Sequence, residues 1–205
     1  WIKGIIKDKV SNIDIIKAYK KEVPAFNSDT VWIIMGSRYS VYDQAKWIDV
    51  FKKHIQEGVK NRISMLGICF GHQILCNVLG GEVAPNPKGW EIGSSNVGLT
   101  EKGKESILFK DFSLEFSVYE SHHDAVVNTP SNIDILGQNK YGIQAFSYFD
   151  FIFGVQFHPE FNFDVMKAYY SIRIKNVENK SDYHVCDRNE GIKVVDNFIN
   201  MNLRR

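Results

Sequence analysis

The segment spanning residues 65–73, M-L-G-I-C-F-G-H-Q, constrains the fold of this chain more than any other stretch. It has the pattern of a buried strand that turns sharply into a helix, with Cys69 at the turn. Gly67 and Gly71 flank the cysteine and let neighbouring backbone approach where a Cβ would clash. The helix directs its free N–H groups, Phe70 first, and its positive dipole end towards the sulfur, which favours the thiolate. We therefore expect a nucleophilic cysteine; the alternative is a small core residue in a strand–helix turn.

A second motif lies far downstream, at residues 151–160, F-I-F-G-V-Q-F-H-P-E. A histidine at the end of such a β-rich run can act as general base towards a thiol. Glu160 lies two residues beyond His158, on the same side of an extended segment, where it can hold the imidazole in one tautomer. Pro159 restricts both its own backbone and that of the residue before it. The alternative is a strand end at which the histidine only caps or packs, because H-x-E is a short pattern.

Together the two motifs resemble those of the class I glutamine amidotransferase family, in which a G-x-C-x-G elbow is followed much later by an H-P-E string. The resemblance covers residues 30–165 and also takes in G-H-Q at 71–73, L-G-G at 79–81, N-P-K-G-W-E-I-G at 86–93 and S-H-H-D at 121–124. It implies a catalytic set of Cys69, His158 and Glu160. The implied reaction is hydrolysis of a γ-glutamyl amide through a γ-glutamyl thioester.

The resemblance also implies an oxyanion hole and a substrate pocket. Backbone N–H groups of Gly36 and Phe70 would bind the oxyanion. The residues expected to grip the γ-glutamyl group are Gln73, Ser121, His122, His123 and Asp124. The string I-M-G-S-R-Y-S at 34–40 has Gly-Ser where many biosynthetic members have Gly-Gly-Pro, which is closer to the stand-alone branch that includes γ-glutamyl peptidases. The expected partner is therefore a small molecule, glutamine or a γ-glutamyl peptide.

The same motifs are compatible with three other functions. The chain contains no G-x-x-x-x-G-K-[ST] loop, so an ammonia-using synthetase would have to be a separate partner polypeptide. A regulatory binding module, or a DJ-1-type hydrolase or chaperone, shares an elbow cysteine; DJ-1-type chains typically have histidine where this one has Phe70. His122 or His123 beside Asp124 could form a second catalytic pair or a metal site with the H-P-E motif. Because the elbow explains the chemistry without a metal, we predict no metal and no cofactor.

Composition indicates the number of domains, the class of partner and the cellular compartment. The 205 residues are 44% hydrophobic and 13% aromatic, which suits one α/β domain spanning 1–205. A net charge of +1 gives no indication of nucleic acid or membrane as a partner. Three cysteines suggest a reducing compartment, so we expect a cytoplasmic protein. We interpret Cys76 as a core residue and Cys186 as a bystander in a loop.

The order of apolar patterns predicts a wound α/β sandwich of three layers, flavodoxin-like, with a mostly parallel central sheet and a small antiparallel sheet. A strand is expected at 30–35, a helix at 47–59 and the elbow strand and helix at 63–79, ended by Gly80 and Gly81. Short antiparallel strands are expected within 82–148, and closing helices at 164–174 and 191–203. Residues 1–28 hold one helix or strand pair at most, so the first strand and helix of such a fold are expected to be missing or shortened.

Overall fold

The computed structural model describes residues 1–27, 29–177 and 179–203. Its helices are α1 (Ile2–Ile6), α2 (Lys46–Lys60), α3 (Phe70–Val78), α4 (Glu101–Glu105), α5 (Phe163–Arg173) and α6 (Ile192–Leu203). Its strands are β1 (Val31–Ile34), β2 (Ser64–Ile68), β3 (Glu82–Pro85), β4 (Glu91–Leu99), β5 (Glu115–His122), β6 (Asp124–Asn128), β7 (Asp134–Asn139), β8 (Gly142–Tyr148) and β9 (Ile152–Val155). Short 3₁₀ turns lie at Ala18–Lys20, Ile107–Phe109, Ile174–Asn176 and Lys180–Asp182.

Seven strands form one mixed sheet in the order β1-β2-β9-β8-β7-β4-β5, and β3 pairs with β6 in a separate antiparallel sheet. The predicted α/β class, with a central sheet and a small antiparallel one, is confirmed. Parallel pairing is confined to β1, β2 and β9, and the other four strands of the large sheet run antiparallel. Short connections account for two of these pairings: two residues join β7 to β8 and three join β8 to β9, too few for the crossover that parallel strands need.

Helices cover both faces of the parallel part of the sheet. Strand β2 is buried along its whole length, as expected for a strand with a layer on each side. Leu66 and Ile68 pack on one side in a cluster with Val195 and Phe198 of α6. On the opposite side Met65 joins a second cluster, whose other members come from α2 and α3 among other elements. This is the three-layer packing expected from the order of elements.

The helices and strands named from sequence patterns lie within two residues of the observed bounds. Gly80 follows the end of α3 with φ +99° and donates its N–H to the carbonyl of Asn77, the predicted positive-φ cap. Residues 1–27 hold α1, one 3₁₀ turn and no strand; residue 28, the last of that leading stretch, lies outside the described residues. Among the helices described, none has the length and apolar run needed to cross a membrane.

The parallel strands determine where the candidate site lies. Strands β1, β2 and β9 end at the same edge of the sheet because they run in the same direction. Gly36 follows β1, Cys69 follows β2 and His158 follows β9, each within three residues of the strand end. The carboxyl ends of parallel strands are where α/β proteins bind ligands.

Candidate functional site

The elbow brings Cys69 into an unusual backbone conformation. The cysteine lies between β2 and α3 with φ 54° and ψ −106°, a conformation that costs a non-glycine residue on the order of 1–3 kcal/mol. A Cβ at Gly67 would collide with the carbonyl oxygen of Gly71, and one at Gly71 with the carbonyl oxygen of Ile34. The expectation that both glycines permit close backbone approach is confirmed. Phe70 is the first residue of α3, so its N–H has no partner within the helix.

His158 and Glu160 form the contact that the H-P-E motif predicts. Nδ1 of His158 lies 2.9 Å from Oε1 of Glu160, and the histidine is only 6% exposed. The imidazole also stacks on Phe161, with ring centroids 4.1 Å apart and planes 10° from parallel. Its backbone N–H donates to the carbonyl of Tyr119 on β5, and its carbonyl accepts from Asn189 Nδ2 at 3.1 Å. The histidine is therefore held by its side chain, its ring face and its backbone.

The loop after β1 approaches both of these residues. A Cβ added at Gly36 would lie 3.2 Å from Cε1 of His158 and 3.6 Å from Cβ of Cys69. Burial by itself would lower the pKa of His158, but charge attraction and hydrogen bonding with Cys69, and then with Glu160, raise that pKa well above its ordinary value. These contacts favour the charged form of the imidazole, beside a cysteine that is 7% exposed. A thiol, an imidazole and a loop glycine converge at one point.

Gln73 and Asp124, both predicted substrate contacts, are joined by a hydrogen bond. Gln73 Nε2 donates to the carbonyl oxygen of Asp124 at 3.0 Å and to Oε1 of Gln156 at 3.1 Å. The carboxylate of Asp124 accepts hydrogen bonds from the hydroxyls of Ser40 and Tyr42, the latter at 2.9 Å. The structure therefore joins the elbow helix, the S-H-H-D segment and the loop after β1.

The other three predicted substrate contacts differ in their surroundings. The Ser121 hydroxyl is buried and has no hydrogen-bond partner among the described residues. His123 is partly exposed, packs near Trp90 and lies with Nδ1 3.4 Å from Oδ1 of Asp124. His122 points inwards, is 4% exposed and has both ring nitrogens engaged by protein atoms. Of these three, Ser121 and His123 have polar atoms whose hydrogen-bonding capacity is not fully used by protein groups.

Two buried carboxylates accompany His122. Nε2 of His122 lies 3.0 Å from Oε2 of Glu91 and 3.3 Å from Oε2 of Glu120. Their spacing would suit a metal ion. Glu91, however, already accepts hydrogen bonds from three neutral side chains besides the histidine: Ser95, Asn139 and Gln144. The oxygens of Glu91 are thus committed to protein donors, and the cluster fits a buried ion-pair network better than a metal centre.

Sequence reasoning assigned no role to four residues of this region, Ser40, Tyr42, Glu120 and Phe161, and included Glu91 only as part of the 86–93 motif. One of them could have been found, because Glu120 and His122 are two residues apart on a strand and so share a face. Glu91 faces His122 only through the register of β4 on β5. The contacts of Ser40 and Tyr42 with Asp124 cross 84 and 82 residues of chain and carry no local signal.

Comparison with known sequences places these motifs in a family. The model of the family "Glutamine amidotransferase class-I" matches residues 10–173. A glutamine-hydrolysing GMP synthase subunit of Saccharolobus solfataricus is 36% identical over 154 residues, which cover 73% of this chain and 77% of that one. Gamma-glutamyl peptidase 2 of Arabidopsis thaliana is 31% identical over 146 residues, covering 66% of this chain and 55% of the peptidase.

Comparison with solved structures agrees on the fold. A glutamine amidotransferase of Thermotoga maritima superposes with a TM-score of 0.73 at 23% identity, covering 99% of this chain and 88% of that one. A glutamine amido transferase of Methylobacillus flagellatus gives a TM-score of 0.75 at 16% identity, covering 99% and 84%. The family match over most of the chain shows that this protein belongs to the class I glutamine amidotransferase family.

Proposed function

We propose that this protein hydrolyses a γ-glutamyl amide, either glutamine or a γ-glutamyl peptide, with Cys69 as the nucleophile. The observation that carries the proposal is the convergence of Cys69, His158 and Gly36 at the carboxyl ends of three parallel strands. The raised pKa of His158 supports it, because a histidine that holds its proton can donate that proton to the departing ammonia or amine.

In the proposed mechanism, the Cys69 thiolate attacks the γ-carbonyl and forms a C–S bond. The backbone N–H groups of Gly36 and Phe70 bind the oxyanion that develops on the carbonyl oxygen. His158, oriented by Glu160, donates its proton to the departing ammonia or amine as the C–N bond breaks. Water, deprotonated by His158, then attacks the thioester, and the C–S bond breaks to release glutamate and regenerate the thiolate.

The substrate contacts belong to the same proposal. Gln73, Ser121, His123 and Asp124 lie on the segments that would receive the α-amino and α-carboxylate groups of the γ-glutamyl donor. His122 would support these segments from the protein interior and would not contact the substrate, since both of its ring nitrogens are hydrogen-bonded to protein groups. The relatives support both donors, since one is named as glutamine-hydrolysing and the other as a gamma-glutamyl peptidase.

A second candidate is a glutaminase that delivers ammonia to a synthetase on another polypeptide. It is favoured by the 36% identity to a protein whose name describes one subunit of a GMP synthase. In that case glutamine would be the donor, and the rate of glutamate release would rise when the synthetase is added.

The test is glutamate release from glutamine and from γ-glutamyl peptides including glutathione. Wild-type protein is compared with Cys69→Ala, with Cys186→Ala as the matched control because Cys186 is exposed and is not part of the proposed site. We expect Cys69→Ala to lower turnover by at least about 10³-fold with an unchanged fold, and the control to retain it. Release that is unaffected by Cys69→Ala would refute the proposal. Preference for peptides would identify a γ-glutamyl peptidase, and preference for glutamine a glutaminase.

A further inference from the structure

The loop that follows β1, residues 36–42, is largely exposed although it borders the proposed reacting groups. We call it the β1 loop. Among the described residues, its side chains make hydrogen bonds to only one residue outside the loop, Asp124, through Ser40 and Tyr42. Burial first, and also the Asp124 charge, raises the pKa of Tyr42, so this hydroxyl keeps the proton that it donates. Gly36, at the other end of the loop, approaches Cys69 and His158.

Asp124 is itself held in place through its backbone. Its carbonyl oxygen accepts one hydrogen bond from Nε2 of Gln73 at 3.0 Å and another from Nδ1 of His122 at 2.9 Å. Gln73 lies one turn after Cys69, and its N–H donates to the Cys69 carbonyl at 3.1 Å. Asp124, which accepts hydrogen bonds from two side chains of the β1 loop, is thus hydrogen-bonded to the helix that carries the thiol.

His122 is the stronger of the two donors to this carbonyl. Nδ1 faces a carbonyl oxygen and Nε2 faces Glu91 and Glu120, so both nitrogens must carry protons for these contacts to be attractive. Burial alone would lower the pKa of His122, but hydrogen bonds and charges of Glu120 and Glu91 raise it well above its ordinary value. A charged donor gives a hydrogen bond roughly twice as strong as a neutral one.

We propose that Asp124 is a positioning residue, which latches the β1 loop through Ser40 and Tyr42 and so keeps Gly36 aligned with Cys69. The cluster of His122, Glu91 and Glu120 anchors this latch from inside the protein. The inference rests on the proposed function in assigning Gly36 to the oxyanion hole. It differs from the role of Asp124 as a substrate contact, because a latch requires the Tyr42 hydroxyl and a direct substrate contact does not.

The test is Tyr42→Phe, which removes one latch hydrogen bond and leaves Asp124 intact. Tyr39→Phe is the matched control: it removes a hydroxyl from the same loop, at a residue that contacts Trp47 through its ring and Ser37 through its backbone N–H. Two quantities are measured, hydrogen exchange of peptides covering residues 36–42 and the separate values of kcat and KM. We expect Tyr42→Phe to speed exchange several-fold in these peptides alone and to lower kcat about tenfold with KM within twofold, less than the 10²–10³-fold loss of a whole oxyanion donor. The control should match wild type in both.

Any other result would contradict the proposed positioning role of Asp124. Unchanged exchange would show that the hydroxyl does not hold the loop. Faster exchange with unchanged kcat, or a change confined to KM, would show that the loop does not position a group used in the transition state. Hydrogen exchange does not depend on turnover, so absent glutamate release from the wild type would refute the proposed function while exchange still decides whether the latch exists.

Discussion

Gly36→Ala tests the geometry of the proposed site most directly. The added Cβ would lie 3.2 Å from Cε1 of His158, 3.6 Å from Cβ of Cys69 and 4.0 Å from its Sγ. Carbon atoms in favourable contact are about 3.5–4.0 Å apart, so the imidazole must shift by a few tenths of an ångström. It has little freedom to do so, because Phe161 stacks on the ring and Glu160 bonds to Nδ1.

The expected loss of activity follows from these distances. A misplacement of about 1 Å in a catalytic group can cost about 10²-fold, so a smaller shift with a methyl group beside the thiol should lower kcat/KM by about 10- to 100-fold. Stability should change little, by about 1 kcal/mol, because Gly36 is exposed and does not have positive φ. Initial rates of glutamate release and thermal unfolding measure the two effects.

Gly4→Ala is the control for that substitution. It adds the same methyl group in α1, where no atom of the described residues, apart from the adjoining helix backbone, lies within 4 Å of the new Cβ, and it should retain full activity. Full activity in Gly36→Ala would refute the reasoning, since it would mean that Gly36 does not border the reacting atoms. A large loss of stability would equally contradict it, because the effect is then on folding.

Two further predictions concern the charged groups. Glu160→Gln should lower kcat less than His158→Ala, because an orienting residue costs less than the proton donor itself; initial rates decide, and the reverse order would contradict the assigned roles. Burial first, and then the charge of Glu91, raises the pKa of Glu120 from 4.5 to about 7. The folded state thus holds this proton more tightly, and the stability that it contributes is complete below pH 4.5 and is lost as the pH rises to about 7. The free energy of unfolding of the Glu120→Gln variant, measured by urea titration, should accordingly rise relative to that of wild type by roughly 3 kcal/mol between pH 4.5 and about 7. A difference between the two proteins that does not change with pH would show that Glu120 is not buried as a charge.

Local patterns were sufficient for the elbow and for the H-P-E contact. The glycines at 67 and 71 could be interpreted from sequence because the close approach that they permit involves the turn itself and the strand beside it. The contact between His158 and Glu160 spans two residues and depends only on an extended backbone. The proportion of parallel strands was predicted less well, since patterns of apolar residues indicate strands and not their directions.

The distance along the chain over which an interaction acts separates what the sequence by itself determined from what only the tertiary structure decided. The α/β class, the turn that carries Cys69 and the contact of His158 with Glu160 follow from patterns within short segments, because periodicity and glycine sterics act over a few residues. The engagement of Asp124 by Tyr42, and the pairing of Glu91 with His122, join residues 82 and 31 apart. They depend on the order and register of strands in the sheet, which arise from packing of the whole core and which no short segment specifies.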